Sequence, residues 1–522
     1  MRWEGSNMKR RDFIALVAAS AGSTYAAMTA LDLLAQPARA TGKFQLSGES
    51  KGKKIIILGA GLAGMSAAYE LGKVGYNCAI LEARDRAGGR CWTVRKGTEE
   101  TEIGGERQVA AFDDGLYFNP GPARIPQHHI TLDYCKELGV PIEAFNNVNE
   151  AAYYYNEGVG LLSGKRVRIR SAHADMRGYT AELLAKAINQ DALDLPLTKE
   201  DKEKMVEFLR GVGDLSPDLF YKGSSRRGYS VLPGAGLQAG EKEDPFDLDA
   251  LIKSGFGRYF QFEYDFNQQM TMFQPVGGID QIAKAFERRV DNKITYQAEV
   301  KEIRKTPTGV RVIYTDKTGK PQEMTGDFSI CTIPLSVLKS IAADFSPDMK
   351  AAINSVAYAS TGKMGLQFKR RFWEEDDRIF GGISITNQNI TQIFYPCHDY
   401  LSSKGILTGY YNFGETAQEM GNLSLAERQA RALTEGGKIH PQYAREFETG
   451  FSVAWYKVKY SLGGWASYIS EVRKQFYPRL NEPDGAIYLA GEHLSYYTGW
   501  MAGALESARK VVSALHMRVQ NS

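Results

Sequence analysis

The stretch Ile55-Ile-Ile-Leu-Gly-Ala-Gly-Leu-Ala-Gly64 is typical of a β-α-β unit that grips a dinucleotide. Its four aliphatic residues predict a buried parallel strand. Three glycines permit a tight turn, close approach of the backbone to a pyrophosphate, and close packing of the following helix on the strand. The start of that helix offers free N–H groups to phosphates. The predicted cofactor contacts are Gly59, Ala60, Gly61, Leu62, Ala63 and Gly64.

A carboxylate and a second glycine pair extend this motif. Glu82 follows Gly64 by eighteen residues at the end of another aliphatic run, where it can accept both hydroxyls of an adenosine ribose. Gly88-Gly89-Arg90 favours a flavin over a nicotinamide, because in many FAD proteins such an arginine meets the second phosphate. The sequence therefore predicts FAD, with further contacts from Ala83, Arg84, Gly89 and Arg90.

Length and composition limit the classes of protein to consider. With 522 residues, 43% of them hydrophobic, the chain is expected to form two or three domains. A formal charge of +3 without a long basic stripe argues against a nucleic acid partner. Five cysteines without C-x-x-C spacing suggest neither a disulfide framework nor a zinc site, and no metal is expected.

The first forty residues resemble an export signal. A twin arginine, Arg10-Arg11, precedes a mildly apolar run, and Ala38-Arg39-Ala40 supplies small residues at the cleavage positions. We expect a twin-arginine-type signal peptide over residues 1–40 and a periplasmic or secreted protein. The alternative is a transmembrane anchor, disfavoured because the run is rich in small and polar residues and contains Asp32. No stable membrane insertion of the mature chain is expected.

The pattern of the rest of the chain predicts an α/β fold. Strand-like runs rich in Tyr, Phe and Ile over 361–368, 392–395 and 405–412 indicate a mixed sheet. We therefore predict a discontinuous Rossmann-like FAD-binding domain, a mixed-sheet substrate domain and a helical insertion. Their predicted bounds are 50–125 with 270–335 and 480–518 for the first, 126–144 with 336–479 for the second, and 145–269 for the mostly helical insertion.

Several motifs in a fixed order make the chain resemble the flavin-containing amine oxidases, most closely their L-amino acid oxidase branch. Besides the glycine motif they are Gly121-Pro-Ala-Arg124, Gln274-Pro-Val-Gly-Gly-Ile-Asp280, Gln297-Ala-Glu-Val300, Thr361-Gly-Lys363, Arg371-Phe-Trp-Glu374, Leu489-Ala-Gly-Glu492 and Thr498-Gly-Trp-Met-Ala-Gly503. The resemblance implies that Val300 meets the adenine through its backbone and Glu492 the ribityl or phosphate region. It also implies flavin contacts from Gly121, Pro122, Ala123, Arg124, Gly499, Trp500, Met501 and Ala502.

By the same resemblance, Arg124 and Tyr411 bind a substrate carboxylate. Prolines on both sides of Arg124 would hold its guanidinium ready for two parallel hydrogen bonds. A surface arginine or a phosphate contact remains the alternative. For Tyr411 the alternative is a plain sheet aromatic, since the neighbouring Tyr410 could take its place if the register slipped by one.

Lys363 and Trp500 are the implied catalytic residues. The resemblance gives Lys363 a water beside the flavin N5 and a part in reoxidation by O₂; the alternative is a solvent lysine at a strand edge. Trp500 would face the flavin ring in an aromatic cage, or be an ordinary core tryptophan. The carbonyl of Gly499 would receive the substrate amino group.

Two features depart from the related enzymes. Tyr460-Ser-Leu-Gly-Gly-Trp465 lacks the cysteine that binds the flavin in monoamine oxidases, so a noncovalent flavin is expected. No motif places an active-site histidine: His173 lies in the insertion without such a motif, and His128 and His129 could shape the entrance, although solvated histidines at a helix start are favoured.

The resemblance implies oxidation of L-amino acids by hydride transfer from Cα to the flavin, giving 2-oxo acids, ammonia and hydrogen peroxide. The implied partners are a small L-amino acid and O₂, and a homodimer stays open. An amine or polyamine oxidase, an amino acid monooxygenase and a flavin-binding module without turnover are the alternatives. The preferred side chain is not predicted.

Overall fold

A computed structural model describes residues 44–193 and 197–522, so the predicted signal segment 1–40 lies outside the described residues. The strands, in chain order β1 to β24, are Lys54–Leu58, Asn77–Leu81, Glu99–Thr101, Arg107–Val109, Ile142–Asn146, Tyr153–Tyr155, Val167–Arg168, Tyr229–Val231, Glu241–Lys242, Thr271–Pro275, Ile294–Thr295, Glu299–Thr306, Gly309–Thr315, Pro321–Gly326, Phe328–Cys331, Ala342–Ala343, Ala357–Tyr358, Thr361–Phe368, Ile383–Thr386, Gln392–Phe394, Gly405–Phe413, Phe447–Ala454, Ala466–Ser467 and Ile487–Leu489.

The α-helices of the described residues lie between and after these strands. In chain order, α1 to α14 are Leu62–Lys73, Ile130–Leu138, Ile169–Asn189, Lys199–Gly213, Leu248–Lys253, Asp280–Val290, Leu335–Leu338, Pro347–Ser355, Phe372–Glu375, Gly414–Asn422, Leu425–Ile439, Tyr443–Glu446, Ser470–Leu480 and Met501–Asn521. Short 3₁₀ turns span Phe256–Tyr259, Phe262–Tyr264, Asp291–Lys293, Trp455–Lys457 and Glu492–Leu494.

A five-stranded parallel sheet carries the glycine motif. Its strand order is β11-β2-β1-β15-β24, so it collects strands from distant parts of the sequence. The aliphatic residues of β1 are buried on both faces, as expected of a central parallel strand. Helices α1, α6 and α14 contribute to the core cluster on one face. The carboxyl ends of all five strands therefore meet at one edge of the sheet, where ligands bind in open α/β sheets.

A seven-stranded sheet forms the second large unit. Its order is β22-β18-β21-β20-β19-β6-β7, with β18 buried along its whole length between β22 and β21. In the antiparallel pair of β18 and β21, Lys363 stands opposite Tyr411. The pairing brings these two predicted site residues side by side. Together the two sheets confirm the predicted fold class.

The structure differs from the predicted domain bounds in two places. Helix α2, expected in the substrate domain, packs its Tyr134, Cys135 and Leu138 into the core beneath the parallel sheet. Strands β6 and β7, expected within the helical insertion, extend the seven-stranded sheet. The reason is that the consecutive tyrosines of β6 bury both faces of a strand, which favours pairing in a sheet core.

Two long helices dominate the remaining insertion. α3 and α4 pack on each other through a small apolar cluster that includes Ala181, Ala185, Leu209 and Leu215. Within the described part of the chain, no helix combines the length and apolar character needed to cross a membrane. All five cysteines are buried and unpaired.

Candidate active site

A cavity of about 340 Å³ runs along the carboxyl edge of the parallel sheet. Strands, loops and helix starts from across the chain form its walls. Among the predicted site residues, it is lined by Gly59, Gly61, Leu62, Ala63, Glu82, Ala83, Arg84, Gly89, Arg90, Gly121, Pro122, Val300, Tyr411, Glu492, Gly499, Trp500 and Met501. The structure thus brings residues from six separate motifs to one cavity.

Six predicted site residues do not line this cavity: Ala60, Gly64, Ala123, Arg124, Lys363 and Ala502. Two of them, Ala60 and Gly64, contact residues that line the cavity. Ala60 donates its backbone N–H to Glu82, and Gly64 packs against Gly59. Lys363 donates from Nζ to the carbonyl of Gly121, which does line the cavity, with a distance of 2.6 Å.

The glycine motif has room for a phosphate at one position only. A Cβ added to Gly61, the residue before helix α1, would meet no atom within 4 Å, although Gly61 lines the cavity. A Cβ on Gly64 would lie 2.0 Å from the carbonyl oxygen of Gly59. Gly59 itself needs a φ of +105°, which favours glycine. The open space at Gly61 fits the pyrophosphate of a bound dinucleotide.

Glu82 is buried at the carboxyl end of β2. Its Oε2 accepts the N–H of Ala60 at 2.7 Å, and its Oε1 accepts the N–H of Arg84 at 2.9 Å. These two bonds fix the carboxylate between the glycine turn and the next loop. Each oxygen retains lone pairs for a ligand hydroxyl, so the geometry fits the predicted contact with a ribose.

Arg90 and Glu492 form an ion pair in the cavity wall, with 2.9 Å between Nη1 and Oε1. Arg90 also donates to the carbonyl of Gly464, at 2.7 Å. Glu492 accepts the N–H groups of Ala466 at 3.1 Å and of Gly499 at 3.4 Å. The sequence predicted both charged residues as cofactor contacts but did not predict their ion pair. This pair joins the loop after β2 to the segment before α14.

Arg124 is a partly buried cation without an anionic partner. Among the described residues, no carboxylate lies within ion-pair distance of its guanidinium, and its Nε is buried without any hydrogen-bond partner. Its Nη2 donates to the side-chain oxygen of Gln268 at 3.0 Å. Burial lowers the pKa of Arg124 to about 10. An unpaired cation in such a place is costly, and an anionic ligand would relieve that cost.

Aromatic rings surround this arginine. The guanidinium carbon lies 5.1 Å from the ring centroid of Phe394 and 5.9 Å from that of Trp500, which lines the cavity. The neighbouring Tyr411, on β21, has a pKa that burial raises to about 12, so its hydroxyl stays protonated near neutral pH. The group can bind a small molecule that carries both a carboxylate and apolar surface.

Lys363 is buried in the interior strand β18, which excludes the solvent lysine at a strand edge that the sequence left open. Its Nζ lies 4.3 Å from the ring centroid of Tyr411. Burial, and to a lesser degree the nearby Arg124, lowers the pKa of Lys363 to about 7. Its side-chain amino group can therefore change between the ammonium and the neutral amine near neutral pH. Tyr410, the alternative to Tyr411, instead bonds Ser452 at 2.8 Å, away from Lys363.

The sequence favoured solvated side chains for His128 and His129, the two histidines near the loop of Arg124. The structure does not agree for His129. His129 is buried, and its ring packs edge-on against Trp500 with 5.2 Å between ring centroids. Burial lowers its pKa to about 4, so it is neutral at physiological pH. His173 bonds Tyr154 and does not line the cavity.

Sequence reasoning missed Gln268, Asn147, Phe394 and Trp465. Trp465 lines the cavity, and Asn147 and Gln268 belong to segments without a recognisable motif. Phe394 sits in a sequence run assigned only to the sheet. The available signal was the run of amides Asn267-Gln-Gln269, with four residues between it and the Gln274-Pro-Val-Gly-Gly motif.

Comparison with known proteins identifies the family. The sequence profile described as "Flavin containing amine oxidoreductase" matches residues 62–516. A flavin-dependent L-tryptophan oxidase of Lentzea aerocolonigenes is 29% identical, covering 89% of this chain and 98% of its own length. An L-amino-acid oxidase of Demansia vestigiata is 27% identical, covering 88% of this chain and 86% of its own.

Solved structures agree on the fold. A wild-type putrescine oxidase bound to putrescine superposes with a TM-score of 0.60 at 17% identity, covering 89% of this chain and 99% of the other. The family match confirms the predicted cofactor: a flavin, FAD, for which the cavity offers the glycine turn, Glu82 and Arg90. The chain belongs to the flavin-containing amine oxidoreductase family.

Proposed function

We propose that this protein is an L-amino acid oxidase, which converts its substrate into a 2-oxo acid and ammonia with release of hydrogen peroxide. The observation that carries the proposal is Arg124, a partly buried guanidinium that faces no carboxylate of the described protein. A simple amine would leave this cation unpaired. An α-amino acid brings the missing carboxylate, so binding would pair two charges in a poorly solvated place.

The residues around the cavity divide the work of holding such a substrate. Arg124 binds the carboxylate, and the hydroxyl of Tyr411 shares it. The carbonyl of Gly499, which lines the cavity, accepts a hydrogen bond from the amino group. Trp500 provides an apolar wall and excludes water. Holding both ends of the amino acid fixes the direction of its Cα–H bond, and orientation of this kind contributes several kcal/mol, roughly, to lowering a barrier.

A flavin held by the glycine turn, Glu82 and Arg90 would supply the redox chemistry, as acceptor of a hydride from Cα and donor of electrons to O₂. Lys363 contributes a proton and a positive charge next to that reaction. Its low pKa allows it to change protonation state near neutral pH, and its hydrogen bond to the Gly121 carbonyl holds it against the cavity wall.

The second candidate is an amine or polyamine oxidase. It is favoured by the structural likeness to the putrescine oxidase, although at 17% identity that likeness concerns the fold alone. In that case Arg124 would serve the structure of its loop. An amino acid monooxygenase would use the same carboxylate clamp and differ in its products.

A peroxide-release screen separates these candidates. We expect peroxide with a subset of the twenty L-amino acids, and little with the matching D-amino acids or with amines that lack the carboxylate. The released 2-oxo acid identifies an oxidase, whereas an amide product identifies the monooxygenase. Faster oxidation of amines than of the matching amino acids would contradict the proposal.

We also propose export of the folded, flavin-loaded protein by the twin-arginine route. The proposal rests on Arg10-Arg11 and Ala38-Arg39-Ala40 in the sequence. Changing both arginines to lysine should leave the protein in the cytoplasm, while the wild type is recovered outside it with an N-terminus near Thr41. Equal export of both forms, measured by cell fractionation, would rule out this route.

A further inference from the structure

A short segment directly before β10 contacts Arg124 through one of its side chains. Residues 265–270, which we call the amide strap, contain the run Asn267-Gln268-Gln269. The segment folds on itself, because Gln268 donates its backbone N–H to the carbonyl of Asp265 at 2.8 Å. At its far end, the carbonyl of Met270 accepts the N–H of Asn147 at 2.8 Å.

Side-chain amides tie the strap to the loop that follows Arg124. The Oδ1 of Asn267 lies 3.1 Å from Nε2 of His128 and 3.2 Å from Nε2 of His129. The side chain of Gln269 accepts the N–H of Gln127 at 2.8 Å. Phe266 is about half exposed and Tyr264, just before the strap, is more so. A segment held mainly by such side-chain bonds opens at low cost compared with a strand in a sheet.

The oxygen of Gln268 occupies an unusual position. Its Oε1 accepts from Nη2 of Arg124 at 3.0 Å and lies 3.4 Å from Nδ2 of the buried Asn147. One oxygen thus receives a cationic donor and an amide donor, which is the environment that suits a carboxylate oxygen. Asn147 Oδ1 and Arg124 Nε, on the same two side chains, have no hydrogen-bond partner.

The geometry of a guanidinium decides what this contact means for a ligand. A carboxylate that makes two parallel bonds uses either Nη1 with Nη2 or Nε with Nη2, so both arrangements need Nη2. Nη2 carries two N–H bonds, and Gln268 accepts one of them, so the carboxylate arrangement that needs this N–H is blocked while the amide stays in place. A neutral amide oxygen is the weaker acceptor of the two, so a carboxylate can replace it.

We propose that Gln268 Oε1 marks the position of one substrate carboxylate oxygen, and that the substrate displaces Gln268 from Arg124. Gln268 then sets the affinity for carboxylates, and Asn147 becomes a second donor to the bound carboxylate. The inference rests on the proposed function, because it names the side chain that competes with the substrate carboxylate for Arg124.

Two substitutions at this position should act in opposite directions. Gln268→Leu removes the competing acceptor, so the Kd for benzoate, followed by the flavin absorbance, should fall about tenfold, as expected for loss of one hydrogen bond to a charged group. KM for amino acids should fall with it, while kcat stays close to the wild-type value. Gln268→Glu places a carboxylate on Arg124. It should raise the Kd for benzoate and the KM for amino acids about tenfold or more.

The matched control is Gln269→Glu, which adds the same charge one residue away on a side chain bonded to Gln127 instead of Arg124. It should leave the Kd for benzoate near the wild-type value. A higher Kd in Gln268→Leu, or equal effects of the two glutamates, would overturn the inference while leaving Arg124-dependent binding intact. If wild type and Arg124→Met bind benzoate equally, the proposed function and this inference both fail.

Discussion

Arg124→Met should lose roughly two to four orders of magnitude in kcat/KM for L-amino acids. The variant would leave the substrate carboxylate without its charged partner in a poorly solvated site, which costs about 3 to 5 kcal/mol. Methionine keeps much of the volume and the contact with Trp500 and Phe394. Steady-state peroxide assays measure the loss, and amines without a carboxylate should be affected little or should improve.

Two controls separate binding from folding in this experiment. Arg124→Lys retains the charge but lacks the planar pair of donors, so it should fall between wild type and Arg124→Met. The flavin content of each variant must match the wild type, because Gly121 and Pro122 of the same loop line the cofactor cavity. Full amino acid activity in Arg124→Met would place the chain with the amine oxidases.

The cofactor half of the site was predictable because its constraints are local. The turn at Gly59, the open space at Gly61 and the helix contact at Gly64 all lie within six residues. Gly59 needs its positive φ, Gly64 its close contact with the turn, and Gly61 leaves room for the cofactor phosphates. Glu82 follows from the length of one β-α-β unit. The β-strand runs 361–368 and 405–412 were also predicted from the sequence, and both lie in the seven-stranded sheet.

The substrate half was less predictable because its contacts join distant segments. Gln268 meets Arg124 across 144 positions of the chain, and neither lies in a periodic pattern. The burial of His129 depends on Trp500, near the far end of the chain, so no local signal could reveal it. Helix α2 begins directly after His129, and the tertiary fold decides which core its apolar face joins.

The burial of Lys363 also could not be predicted from the sequence alone. A lysine within an apolar strand is unusual, yet the sequence leaves open whether it reaches solvent. In the structure, β18 is covered by strands on both sides, and the Nζ has the Gly121 and Asn119 carbonyls as acceptors, at 2.6 and 3.4 Å. These acceptors are neutral, and no carboxylate of the described residues forms an ion pair with Lys363, so burial of its charge stays only partly compensated.

Lys363→Met should slow reoxidation of the reduced enzyme by O₂ roughly a hundredfold, because a positive charge and proton source beside the developing negative charge are removed. Reduction by the amino acid should change far less, since Arg124 and Tyr411 still hold the substrate. Stopped-flow absorbance measures the two half-reactions separately. Lys369→Met, at an exposed position just after the same strand, is the matched control and should alter neither rate.

The pH dependence of the reoxidation rate is an independent test of the role of Lys363. Burial places the pKa of Lys363 at about 7, so the ammonium form predominates below that pH and the neutral amine above it. If the charge assists the reaction with O₂, wild-type reoxidation should slow as the pH rises through this range, and Lys363→Met should lack that step. Equal slowing of both half-reactions in the variant, or an unchanged pH profile, would remove Lys363 from the oxygen reaction and leave it as a support for the Gly121 carbonyl.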